Sequence, residues 1–325
     1  MKIVSGLGSI DEYIRLVEAG ADEFFCGYVP LEWVETYGVM SPLNRREVLY
    51  YNVQIGAYSD MVILSRMVER YKVPVKITFN SLFYTPEQYP VVAFYIKQCM
   101  ELGFDTFIIA DIALILYLRE HQIHCKIHLS GETAEVNRPM MEFFHSFDIT
   151  RYIFHRKNTL EDMKSCINEN AGKNLEYEAF VLNEMCHFTG GFCNSLHCDE
   201  LTHMCKVPYQ MTRFRKNRRH FSEVEKRFQA KEEEASDMEE EENGYVTGQT
   251  GCGLCALMRL KNVGITHLKL VGRGNYVDFM EYDIRQLKMA LTILKECDQE
   301  VEFQNRVQQE LFQHGCSKNC YYPLK

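Results

Sequence analysis

Cys186, Cys193, Cys205 and Cys252 fall in and just after one stretch of the chain that reads as a loop. Thiolates are soft donors that select zinc, copper(I) or iron–sulfur clusters, and four of them close either a tetrahedral zinc site or a cubane cluster. The chain carries 13 cysteines, an odd number that cannot all pair. No secretory or membrane-spanning apolar run is visible, so the expected compartment is the reducing cytoplasm, where a metal site is favoured over a disulfide framework. Structural zinc prefers two short Cys-x₂₋₄-Cys pairs, whereas this loop opens with a six-residue gap from Cys186 to Cys193. That favours a [4Fe–4S] cluster, with Zn²⁺ as the alternative. His187, His197 and His203 read as polar loop residues. Cys26, Cys99, Cys125 and Cys166 sit in apolar periodic segments and read as small buried hydrophobes. The pair Cys316 and Cys320 reads as a cap on the terminus rather than a second site.

A second group of residues sits where strands are expected to end. Asn80, His128, Ser130, Arg156, Glu178, Lys269 and Arg273 each lie in or just after a β-rich run. Arg156, Lys269 and Arg273 could hold a carboxylate or phosphate through charge-assisted hydrogen bonds. An unperturbed imidazole has its pKa near neutrality, which makes His128 the natural proton-transfer candidate. The expected catalytic residues are thus His128, Arg156, Glu178 and Lys269, with Asn80, Ser130 and Arg273 binding substrate. The plain alternative is that polar residues inside a barrel neutralise one another, as Glu178 would with Lys269.

The elements that must position these residues alternate regularly. Strand-like runs at 2–4, 23–26, 73–79, 106–110, 126–129, 151–154, 177–181 and 267–271 are separated by helical patterns. A weak internal repeat supports the count: Glu18-Ala19-Gly20-Ala21-Asp22 and Glu101-Leu102-Gly103-Phe104-Asp105 each place a glycine after a helix and before an apolar run, and Asn262-Val263-Gly264 follows suit. Eight such units predict an α/β fold, a (β/α)₈ TIM-like barrel, with an open doubly wound sheet as the main competitor. The expected organisation is a barrel over 1–300, a cysteine-rich loop over 184–212 after the seventh barrel strand, a charged insertion over 213–247, and a tail over 301–325. The charge blocks of 213–243, basic first and then acidic, carry too little apolar surface to fold alone. The net charge of −9 argues against broad nucleic-acid binding without excluding a local basic site.

Several of these residues follow a known pattern. Glu178-Ala179-Phe180-Val181 followed by Cys186, then Gly191-Phe192-Cys193, Cys205-Lys206-Val207-Pro208-Tyr209 and Lys269-Leu270-Val271-Gly272-Arg273 resemble peptidase family U32, the collagenase-like peptidases. The family's spacings are kept: eight residues from Glu178 to Cys186, seven from Cys186 to Cys193, and twelve from Cys252 to Gly264. Gly20-Ala21-Asp22, His128-Leu129-Ser130 and Arg156 with Leu160-Glu161 also match in order, so the resemblance covers roughly residues 1–290.

The resemblance implies a barrel whose [4Fe–4S] cluster is held by Cys186, Cys193, Cys205 and Cys252. It also implies oxygen-independent hydroxylation, or a related modification, of RNA or a small metabolite, with a prephenate-like anionic cosubstrate and a homologous partner subunit in some members. Cys198 rivals Cys205, and Cys255 rivals Cys252. A collagenase-like peptidase, or a non-catalytic cluster-binding subunit, is the alternative. The chain departs from the family at Leu182-Asn183, where the pattern has His-Gly, and at Val271 and Lys157, where it has acidic residues. Substrate identity is therefore not carried over.

Overall fold

The structure, a computed structural model, describes residues 1–38, 41–45, 53–133, 136–186, 193, 245–313 and 315–323. Nine parallel strands are described: β1 (Lys2–Gly6), β2 (Glu23–Tyr28), β3 (Gln54–Ile55), β4 (Val75–Phe79), β5 (Thr106–Ile109), β6 (Lys126–Leu129), β7 (Ile149–Ile153), β8 (Glu176–Leu182) and β9 (His267–Leu270). They hydrogen-bond in the order β1-β9-β8-β7-β6-β5-β4-β2, and β1 pairs back to β2. Ser5 is thus in register with Phe24 on one flank and Leu270 on the other. Eight strands close into a barrel. The two-residue β3 adds a short ledge outside this ring, on β2.

The strands are short and nearly all buried, with β-branched and aromatic residues on both faces, as an all-parallel sheet covered by helices requires. Their helical partners are α1 (Tyr13–Ala19), α2 (Leu31–Tyr37), α3 (Tyr58–Tyr71), α4 (Tyr89–Glu101), α5 (Ile112–Glu120), α6 (Arg138–Phe143), α7 (Leu160–Glu169), α8 (Leu257–Val263), α9 (Val277–Glu296) and α10 (Glu300–Leu311). The repeat read from the sequence has a structural cause: Gly20 and Gly264 close α1 and α8 in the left-handed conformation, with φ of 111° and 100°. Local chemistry sets other boundaries. Thr159 and Asp162 form a reciprocal capping box at the start of α7, and Asp111 caps α5.

Three elements fall outside the expected set: α2, β3 and α10. Helix α10 buries Phe303 and Val307, and it packs on α9 and beside the 3₁₀ turn Leu254–Ala256. Beyond it, the segment 316–323 runs back over the barrel. Of the expected charged insertion over 213–247, residues 213–244 lie outside the described residues.

Candidate active site at the barrel mouth

The C-terminal ends of the strands surround one pocket, where (β/α)₈ barrels carry their chemistry. Its walls include Phe25 from β2, Thr78 and Asn80 at the end of β4, Ser130 after β6, Arg156 after β7, Phe180 from β8, Lys269 from β9 and Arg273 beyond it. The enclosed and open space together amount to about 570 Å³. Arg45, Glu132 and Glu184 complete its charged lining. Four cations thus face two carboxylates.

Each cation is held differently. Lys269 Nζ donates to Glu178 Oε1 at 2.8 Å and stands 3.6 Å from the centre of the Phe25 ring. Arg156 Nη1 donates to Glu132 Oε1 at 3.0 Å, and its guanidinium lies 3.9 Å from the centre of the Phe180 ring. Arg273 Nη1 reaches Gln54 Oε1 at 3.2 Å and Thr78 Oγ1 at 3.3 Å. Gly27 makes that approach possible, because a Cβ there would fall 1.6 Å from Gln54 Oε1 and 2.8 Å from Arg273 Nη1. Arg45 is fixed through its backbone, whose N–H donates to Asn80 Oδ1 at 3.1 Å. Its Nε lies 3.8 Å from Glu132 Oε2. Among the described residues, Arg45 Nε and Nη2 and Arg156 Nε are buried and make no hydrogen bond. Buried guanidinium donors in this condition are costly unless an anion completes them.

Beneath the pocket lies a charge layer inside the barrel. Arg151 is 1% exposed and binds three carboxylates: Glu178 Oε2 at 2.7 Å, Glu176 Oε2 at 2.7 Å and Glu23 Oε2 at 3.0 Å. Burial alone would push Glu178 up, but Lys269 and Arg151 outweigh it and hold the carboxyl at about 2. Burial pushes the Lys269 amine down, partly offset by Glu178. His128 and His267 share this layer, 4.0 Å and 3.8 Å from Glu176. Burial and then Arg151 drive His128 well below the usual imidazole range, and the same pair of causes brings His267 down to about 4. Both rings are neutral at physiological pH.

The structure therefore divides the residues expected from sequence. Asn80, Ser130, Arg156, Lys269 and Arg273 converge on the pocket. Glu178 lies under Lys269 and acts on the pocket through it. His128 is in the layer below and does not line the pocket, so the residue expected to move protons is not among the groups a pocket ligand would touch. Sequence reasoning missed Arg45, which sits in irregular chain between α2 and β3 with no strand end to mark it. It also missed Glu132, although its position two residues past Ser130 was a usable signal.

Past β8 the chain enters the cysteine loop through a pinned stem. Asn183 and Glu184 adopt positive φ, and the Asn183 side chain donates to Asp283 Oδ2 at 2.6 Å. The returning strand of the stem meets the same carboxylate: Tyr245 Oη at 2.5 Å and Thr247 Oγ1 at 2.9 Å. Asp283, on α9, thus fastens both legs. Residues 182–185 pair antiparallel with 250–252, and Cys252 pairs in turn with Cys320. Of the expected cluster ligands, Cys186 is half-buried at the stem, Cys193 is buried and Cys252 is half-buried, while Cys205 and its rival Cys198 lie outside the described residues. Among the described residues, no three His, Cys, Asp or Glu side chains are arranged to hold a metal ion as they stand. No described helix is long and apolar enough to cross a membrane.

Comparison with known proteins decides the family. The profile of peptidase family U32 matches residues 8–322. The chain belongs to peptidase family U32. This U32 protein is 33% identical over 98 residues to tRNA hydroxylation protein P of Escherichia coli (strain K12), a match covering 30% of this chain and 21% of that protein. It thus aligns with about a fifth of that relative's length. Among solved structures, the octameric ribulose-1,5-bisphosphate carboxylase/oxygenase of Pyrococcus horikoshii OT3 superposes with a TM-score of 0.50 at 8% identity, covering 97% of this chain and 66% of that one. That likeness speaks for the barrel alone. The U32 peptidase Mk0906 is also similar, at 13% identity and a TM-score of 0.44, covering 59% of this chain and 73% of that one.

Proposed function

We propose that this U32 protein is a modifying enzyme whose barrel mouth takes a small carboxylate- or phosphate-bearing cosubstrate. Its reaction is the oxygen-independent hydroxylation, or a related modification, of RNA or a small metabolite. The carrying observation is the set of buried guanidinium donors of Arg45 and Arg156 without hydrogen-bond partners among the described residues, in a pocket that also holds Lys269 and Arg273. Two planar forks at one opening suit a carboxylate or phosphate, which can take bidentate bonds from each. Phe25 and Phe180 supply apolar walls, so a ligand with both a ring and anionic groups, such as a prephenate-like compound, fits the chemistry. The relative's printed name, a tRNA hydroxylation protein, is what brings RNA into the reading.

The cofactor proposed is a [4Fe–4S] cluster held by Cys186, Cys193 and Cys205 with a fourth thiolate, for which Cys252 is the family-implied candidate. The donor chemistry fits, since thiolates are the usual ligands of such clusters. When bound, it would supply one-electron redox chemistry. The chain's own residues would do the rest: Arg45 and Arg156 orient the anion, Lys269 is kept charged by Glu178, and the aromatic walls limit water.

The test is anaerobic purification with iron and sulfide assay, followed by calorimetric titration with prephenate and with inorganic phosphate, and nucleoside mass spectrometry of RNA from cells lacking and overproducing the protein. Bound iron, saturable anion binding and one modified nucleoside that tracks the protein support the reading. A colourless protein that binds neither anion, or that cleaves unfolded protein without iron, overturns it in favour of the peptidase or a non-catalytic subunit.

A further inference from the structure

The far end of β8 outruns its neighbours. On one flank β7 stops at Ile153, and the Phe154 N–H donates to Glu178 O at 2.8 Å. Carbonyls two residues apart on a strand face the same flank, so Phe180 O points to where β7 has already ended. On the other flank the register with β9 shifts between Phe180 and Leu182, and the Gly253 N–H donates to Val181 O at 2.7 Å. A buried carbonyl past the end of its partner strand needs a donor from elsewhere. Tyr322 supplies it, with its Oη donating to Phe180 O at 2.9 Å.

The tyrosine is itself held in place. Its side chain is buried, and its carbonyl accepts from Arg259 Nη2 at 2.7 Å. A Cβ on Gly253 would stand 3.4 Å from Tyr322 Cδ2, so the ring lies directly against that glycine. The residues before it are tied to the stem of the cysteine loop. The Tyr321 N–H donates to Cys252 O at 2.8 Å, Tyr321 Oη donates to Asn183 O, and Asn319 Nδ2 donates to Gln249 O at 2.6 Å. The segment 316–323 is thus a fixed strip beside the mouth.

Phe180 is where this strip meets the pocket. The Arg156 guanidinium lies 3.9 Å from the centre of the Phe180 ring, within cation–π range. A Cβ on Gly131 would stand 3.3 Å from Phe180 Cε2, so the ring edge also rests on the backbone just before Glu132. Glu132 Oε1 in turn accepts from Arg156 Nη1 at 3.0 Å. One ring therefore supports both the guanidinium and the turn that carries its carboxylate partner. Because a guanidinium is a rigid planar fork, a tilt of the surface it stacks on redirects its donors.

We infer that Tyr322 is a positioning residue of the anion site: by holding the Phe180 carbonyl it fixes the ring on which Arg156 lies, and so makes the segment after α10 part of the pocket's framework. Tyr322 is not among the residues that line the pocket, so it acts through Phe180 and Arg156 rather than on the ligand. The inference rests on the anion-binding role proposed above for that pocket, and adds to it a residue from outside the strand ends.

The experiment compares the full wild-type chain with Tyr322→Phe. Tyr13→Phe is the control, because it deletes a bond of the same kind, Tyr13 Oη to Val73 O at 2.6 Å, before β4 at the opposite end of the barrel. Calorimetric titration with inorganic phosphate reads affinity. Nuclear magnetic resonance of the arginine Nε–Hε groups reads the placement of Arg156, since a proton near an aromatic face carries a ring-current shift that a general loss of stability does not move; Arg156→Lys identifies the signal. Tyr322→Phe is expected to weaken phosphate binding about 3–10-fold, the worth of one hydrogen bond, and to move the Arg156 signal toward its position in Phe180→Leu. Tyr13→Phe is expected to lower the urea midpoint and to change neither readout. An Arg156 signal unmoved in Tyr322→Phe, an unchanged affinity, or an affinity loss shared by Tyr13→Phe overturns the proposal. A wild-type chain that binds no phosphate, with its Arg156 signal still moved by Tyr322→Phe, supports the coupling of Tyr322 to Arg156 and counts against the proposed function alone.

Discussion

Glu178 Oε1 and Lys269 Nζ are 2.8 Å apart in the barrel interior, and both side chains are buried. The pair joins the pocket to the charge layer below it, because Glu178 also accepts from Arg151. Glu178→Gln leaves two buried cations undercompensated, which costs about 3–5 kcal/mol. Urea unfolding should show that loss, and Glu178→Leu/Lys269→Met should recover part of it by removing both charges of the upper pair.

Acid should unfold the protein in two stages. His267 is depressed to about 4, so the unfolded chain takes up a proton first. The stability it contributes is complete above the ordinary imidazole range and is lost as pH falls toward about 4. Glu178 is depressed from 4.5 to about 2, so its contribution is lost as pH falls between those values. Urea midpoints measured across pH should decline in both windows, and His267→Gln should lessen the decline only in the upper one, where His128 also contributes.

Arg45→Ala and Arg156→Ala should each weaken anion binding about 10–100-fold, the worth of a charge-assisted hydrogen-bond set. Arg119→Ala serves as a control, because its guanidinium is spent on the carbonyls of Ile123, Cys125 and Phe147 away from the pocket. Equal affinities in all three variants would remove these arginines from the binding site.

Gly27→Ala should displace Arg273 from Gln54 and Thr78, because the added methyl carbon would meet both the glutamine oxygen and the guanidinium. The expected outcome is anion affinity reduced as in Arg273→Ala, with a lower melting temperature as well, since the glutamine must also move.

Asp283→Ala should loosen the stem, because three donors lose their shared acceptor. A stability loss of about 2–4 kcal/mol and faster amide exchange at residues 245–251 are expected. Asp283→Asn should recover part of both, since it keeps an acceptor oxygen.

The barrel was legible because hydrophobic period and glycine punctuation report local structure: Gly20 and Gly264 end helices for the same steric reason that the repeat shows. The pocket was legible where it is built from strand ends, as with Asn80, Ser130, Arg156, Lys269 and Arg273. It was not legible at Arg45, whose place depends on a backbone bond to Asn80 across 35 residues. His128 shows the other limit: it shares the inward face with Ser130 two residues on, but it stands one layer deeper along β6, beside Arg151 and away from the pocket lining, a depth that the alternation pattern does not report. Nor could spacing alone reveal that Cys320 would lie beside Cys252, since that pairing depends on how the segment after α10 returns.

The closure of β1 against β9 has a bearing on biogenesis. The first strand gains one neighbour once β2 emerges from the ribosome, but its other flank stays open until residue 267 has been made. Throughout that interval the nascent chain carries a free, apolar sheet edge of the kind that recruits foreign strands. The long stretch of sequence between β8 and β9 prolongs that delay.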